Sequence, residues 1–221
     1  MDLLSIDYDA TITIVLEDTS ARFTVYKDLI CAHSPFIKGC LQTGFKEAKE
    51  QIVTIRDWQN SHSMKMLLAW TYQGRSALRT SEIALNSAED KGKEAASDLV
   101  ELYVLADRFL MSNLKNEIVQ LYCLFHVYGE SKPDHYSLRL HHDALRTLAQ
   151  HGLQDCTLRK CIASDIASTH ARWIEDVAQG VGNLAVRLKG LELLQEIFSD
   201  CPEIAVGVLQ KSIVNMKRGM I

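Results

Sequence analysis

Three sets of residues in this 221-residue chain have types and spacings that could do chemistry. The first is Cys31, His33 and Cys40, in LICAHSPFIKGCL. Thiolate and imidazole are the usual ligands of structural zinc, but such a site takes four ligands, commonly as two close pairs. Cys-x-His-x6-Cys has no second pair nearby, and Cys40 stands four residues after Phe36 on a helical apolar stripe. Thiol packing in a core is therefore expected. The second set is His141, His142, His151, Cys156 and Cys161. Cys-x4-Cys matches no common zinc module, and positions i and i+5 of a helix diverge by about 140°. The third is any Cys/His nucleophilic pair that folding alone would assemble. No G-x-S-x-G, HExxH, P-loop or G-x-G-x-x-G supports one. No catalytic residue, metal or cofactor is expected, so the chain reads as a non-enzyme.

Two further constellations suit contact rather than chemistry. Asp107 and Arg108 read as an exposed helix face, where ion pairs contribute little, with Asp107 as a structural acid. Met66 and Trp70 have core spacing, whereas Trp58, at the helix start, is expected to be partly exposed.

Composition bounds the rest. An apolar fraction of 47% and a charged fraction of 24% are ordinary for a globular chain long enough to bury a core. A net charge of -4 with scattered basic residues argues against nucleic acid. MDLLSIDYD lacks a basic start followed by an apolar run, and no stretch approaches the roughly 18 apolar residues of a membrane span. The expected setting is intracellular, cytoplasmic or nuclear, with six widely spaced cysteines reduced and mostly buried.

Hydrophobic periodicity supplies the elements. ATITIVL (10–16) and RFTVY (22–26) alternate and flank the turn-like EDTSA, which predicts a β-hairpin. KDLICAH (27–33) has helical spacing. Ser34-Pro35 restarts a helix, with Ser as cap and Pro at the first position, and Gly44 is expected to end it. FKEAKEQ reads as a charged connection and QIVTIR (51–56) as a third strand. A helix over Trp58–Gln73 stops at Gly74, and 75–98 reads as a short strand or turn followed by a surface loop. Amphipathic helices follow over about 99–109 and 114–125. HVYGESKPDHYS (126–137) breaks the pattern, and helical segments recur at 138–150, 156–167, 173–198 and 202–214. Glycines 180, 182 and 190 divide the third of these.

This order, together with particular residues, resembles the BTB/POZ domain family. The resemblance rests on Asp9 before the first strand, Phe23-x-Val25, Lys27-Asp28-Leu29, Ser34-x-Phe36, GFKEA, LLAWTYQGR with Tyr72 and Gly74, and LVELYVLADRFL with Ala106 and Asp107. It covers roughly residues 9–126. It implies an α+β fold, a small mixed sheet with flanking helical hairpins, over 1–127, followed by an α-helical extension over 128–221.

The resemblance also implies a non-catalytic protein–protein interaction module. One expected role is substrate adaptor for a cullin-RING ubiquitin ligase. Another is homo-oligomerisation; with eight residues ahead of Asp9, a homodimer would use a non-swapped interface. A structural or transcription-related oligomer without ubiquitin chemistry is the alternative. The expected contact residues are Trp58, Gln73, Leu78, Glu82, Ile83, Leu99 and Tyr103. Cullin binders carry a hydrophobic-x-Glu motif in the loop after the third helix, where this chain has Thr80-Ser81-Glu82.

Overall fold

The computed structural model describes residues 10–79, 81, 89–128, 135–178, 184–202 and 204–207. Alternation makes the sheet. β1 (Thr11–Leu16) pairs antiparallel with β2 (Ala21–Tyr26), and β3 (Ile52–Ile55) lies parallel to β1, giving the order β2-β1-β3. Ile14 stands opposite Phe23 on one side and Val53 on the other. Ile12, Ile14 and Leu16 therefore share one face and are buried.

A parallel partner needs a long crossover, and residues 27–50 supply it. Helix α1 (Lys27–His33) stops at Ser34, whose extended backbone starts α2 (Pro35–Cys40) with Pro35 in the first turn. The expected helical hairpin forms, with two differences. Helix α2 ends at Cys40 rather than at Gly44, which lies in the following turn with φ 107°. The charged connection contains a short helix, α3 (Lys46–Glu50), closed by Gln51 in the left-handed region. Its residues are strong helix formers, and Lys46 and Glu50 pair at 3.6 Å across one turn.

Helix α4 (Ser61–Gln73) starts later than expected because the Asn60 side chain accepts from the His62 and Ser63 amides and so fixes the N-terminus. Gly74, φ 58°, ends it, and a 3-10 helix (Gly74–Leu78) follows, which is the turn rather than the strand of the two expected alternatives. Helix α5 (Glu89–Arg108) begins inside the segment read as a surface loop. Lys, Glu and Ala there favour helix, and the burial of Ala95 and Ala96 anchors it. Helix α6 (Ser112–Tyr128) pairs with it in sequence.

The remainder is helical: α7 (His135–Gln150), α8 (Thr157–Ala178) and α9 (Leu184–Asp200), with 202 and 204–207 helical again. Gly190 sits within α9; Gly180 and Gly182 lie outside the described residues. The chain forms two compact units, Met1–Ser87 with Asp98–Ile118, and Ala88–Ser97 with Val119–Ile221. Among the described residues no helix is long and apolar enough to cross a membrane. Cys31, Cys40, Cys156 and Cys201 are free thiols, whereas Cys161 is disulfide-bonded. That corrects the expectation of reduced cysteines throughout, because a bond made by folding leaves no mark in irregular spacing.

Candidate functional site

In the first unit the Ser34-x-Phe36 motif meets the end of α5, which carries Ala106 and Asp107. Ser34 is fully buried and does two things with one hydroxyl. Its Oγ accepts from the Ile37 amide, capping α2, and donates to the Phe109 carbonyl at 2.7 Å. Phe36 stacks at a tilt on Phe109, with ring centroids 5.7 Å apart. Helix α5 closes by a Schellman turn, with Leu110 N donating to Asp107 O and Met111 N to Ala106 O. The left-handed residue of that turn is Leu110, φ 57°, where glycine is usual. Its side chain is 57% exposed.

Polar ties brace this region. Lys115 bonds to Asp107 and lies 5.4 Å from the Tyr103 ring centre. The Trp70 indole donates to Glu117 at 2.8 Å, and His33 meets the Trp70 ring edge-on at 5.2 Å. Burial lowers the pKa of His33 below its ordinary value. At the end of α4, the Tyr72 hydroxyl accepts from the Tyr26 amide, and the two rings meet edge to face. Tyr72 is nonetheless 47% exposed.

The expected contact residues divide sharply. Trp58 is only 3% exposed; its indole donates to the Asn60 carbonyl and to Ser63 Oγ, so the expected partial exposure does not occur. Leu78, Leu99 and Tyr103 are buried too, and offer a partner no side-chain surface in this form. Gln73 is exposed at the end of α4. Glu82 and Ile83 lie outside the described residues, as does Asp9. Of the other motif residues, Phe23, Lys27 and Phe36 are half-buried, and Ala106 is fully buried. Sequence reasoning missed the exposed apolar side chains Phe45 and Leu110. Leu110 follows the buried Phe109, and its offset from the α5 stripe was the available signal.

The residues weighed for chemistry pack or pair separately. Cys31 and Cys40 are half-buried, and burial pushes both thiols up, away from nucleophilic thiolate. In the second unit, His141 lies 3.0 Å from Asp165, and His142 lies 3.0 Å from Asp200 and 3.9 Å from Glu196. His151 is exposed and Cys156 half-buried. Among the described residues no three His, Cys, Asp or Glu side chains are grouped to hold a metal ion.

A model of the BTB/POZ domain family matches residues 7–124, more than half of the chain. No curated protein sequence matches. The match spans all three strands and helices α1 to α5, so it includes Ser34, the Schellman turn and the exposed end of α4.

Proposed function

Because the chain belongs to the BTB/POZ domain family, we propose that it is a protein–protein interaction module whose contact surface includes the exposed end of α4 and the α5–α6 turn. The observation that carries this is Leu110. An exposed leucine is held in a backbone conformation that costs L residues roughly 1–2 kcal/mol, and a partner that covers it would offset that cost. Tyr72 and Gln73, with Arg75 and Arg79 beyond them, supply the aromatic and polar groups that interfaces favour.

Two kinds of partner fit. One is a cullin scaffold, with the chain as substrate adaptor. The other is a second copy of the chain, giving an oligomer without ubiquitin chemistry. The second reading is favoured by the loop after α4: Ser81 is buried and helical, and Thr80-Ser81-Glu82 lacks the hydrophobic residue of the cullin-binding motif. A non-catalytic role accompanies both readings, with 1–127 as the interaction domain and 128–221 as a helical spacer or recruiting surface.

Titration of the full chain against a cullin N-terminal domain, beside light scattering of the chain alone, tests this. Micromolar complex formation that Tyr72→Ala and Leu110→Asp weaken supports the adaptor. Concentration-dependent dimers weakened by the same changes support self-association. A chain that stays monomeric and leaves the cullin domain unbound sinks both.

A further inference from the structure

A polar cleft lies within the second unit, between α7 and α9. Its volume is about 650 Å³, the size of an ordinary ligand site. His142 and Arg146 of α7 line one wall, and Glu192, Glu196 and Asp200 of α9 line the other. Residues four apart share a helix face. The three carboxylates therefore form a row, about 12 Å long at the rise of a helix.

A carboxylate row alone specifies no ligand, and His142 adds a second feature. The residue is only 4% exposed, yet its ring reaches the cleft. Its Nε2 meets Asp200 at 3.0 Å. An ionised carboxylate only accepts, so Asp200 holds the ring proton on Nε2, and Nδ1 of the neutral ring is an acceptor. Glu196 lies 3.9 Å from Nδ1, beyond hydrogen-bond length, and is itself an acceptor. Among the described residues no donor bonds Nδ1. A nitrogen donor about 2.9 Å from each would span the gap between these two acceptors.

We propose that this cleft binds an arginine side chain of a partner protein, whose guanidinium donates to Glu196 and to His142 Nδ1. Guanidinium carries five N–H donors in one plane, so it meets a carboxylate and a second acceptor at once. It is also more weakly hydrated than an ammonium, and so loses less on leaving water. The carboxylate row is longer than one side chain, which places a second basic residue of the same segment beside Glu192. Arg146 faces the row and opposes any cation there. The site goes beyond the surface proposed on the first unit, and separate titrations read the two.

Calorimetric titration of the full chain with a blocked pentapeptide, in which glycines flank and separate two arginines, tests this. Low salt limits screening, and about pH 8 keeps an ordinary imidazole neutral. We expect sub-millimolar binding. The same peptide with citrulline for arginine should bind at least about tenfold more weakly, and the lysine peptide more weakly too. Glu196→Gln should weaken the arginine peptide by about tenfold and Glu192→Gln by less. Arg146→Gln should tighten it by about threefold, and Asp155→Asn, an exposed acid outside the cleft, should leave it unchanged. The altered side chains at 146, 155, 192 and 196 are all exposed, so folding is spared. An arginine peptide that does not bind, a citrulline or lysine peptide that binds as tightly, or an Asp155→Asn effect equal to that of Glu196→Gln overturns the proposal.

Discussion

Replacing Ser34 should cost more than a helix cap alone, and by an amount the structure allows to be worked out. Ser34→Ala removes the acceptor for the Ile37 amide, a loss of about 0.5–2 kcal/mol for an N-cap. It also takes the donor from the Phe109 carbonyl in a fully buried setting, which costs about 1–3 kcal/mol. The two losses sit on different elements, α2 and the end of α5, so they add to roughly 1.5–5 kcal/mol. For a chain of this size each kcal/mol lowers the melting temperature by about 2–4 °C. A fall of roughly 3–20 °C is expected in a thermal melt followed by near-ultraviolet circular dichroism.

Two other substitutions separate the roles. Ser34→Asp keeps the capping acceptor but has no donor for Phe109, and it buries a carboxylate against a carbonyl oxygen. It should be at least as destabilising as alanine, although aspartate is a good cap on an exposed helix. Ser34→Cys, close in shape and weaker in both roles, should fall between alanine and wild type. An aspartate variant as stable as wild type would mean that the bond to Phe109 contributes nothing, and the link between the helical hairpin and α5 would have to come from packing alone.

Four smaller effects follow from the same unit and its neighbour. Leu110→Gly relieves the left-handed strain and should raise stability by about 0.5–1 kcal/mol in denaturant melts; a loss would show that the exposed side chain packs more than its surface suggests. Gly152→Ala should do the opposite by about 1 kcal/mol, through backbone strain alone, since nothing lies within 4 Å of an added Cβ. His33, kept neutral by burial, binds fewer protons folded than unfolded below its ordinary pKa of about 6.5. Stability should therefore fall as pH drops through about 6.5, and His33→Gln should flatten that decline; an unchanged slope refutes the assignment. Asp107→Asn should cost at most about 1 kcal/mol, since its pair with Lys115 is partly exposed.

Elements that a single local pattern determines were legible in the sequence. Ile12, Ile14 and Leu16 alternate because a strand demands it, and the structure buries all three. Ser34-Pro35 announces a cap and a first helical residue, and both are present. What could not be read depends on distant partners. Nothing near Ser34 points to a carbonyl 75 residues away. Trp58 was expected to be partly exposed at the start of its helix, but Asn60 and Ser63 receive its indole N–H, and a satisfied indole buries readily. The start of α5 was hidden because its first turns hold few large apolar residues.

The two Schellman turns show why the candidate site was harder to read than the fold. After α7, Gly152 takes the left-handed position, with Leu153 N donating to Leu148 O and Gly152 N to Ala149 O. That stop agrees with residue preference. After α5 the same pair of bonds forms around Leu110, against preference. The turn is imposed by its surroundings, since Phe109 is fully buried and its carbonyl is held by Ser34. Strain forced by packing and paired with an exposed apolar side chain leaves two readings, and one variant separates them. If Leu110 is only tolerated, Leu110→Gly gains stability and leaves association untouched. If it contacts a partner, the same variant gains stability and loses binding.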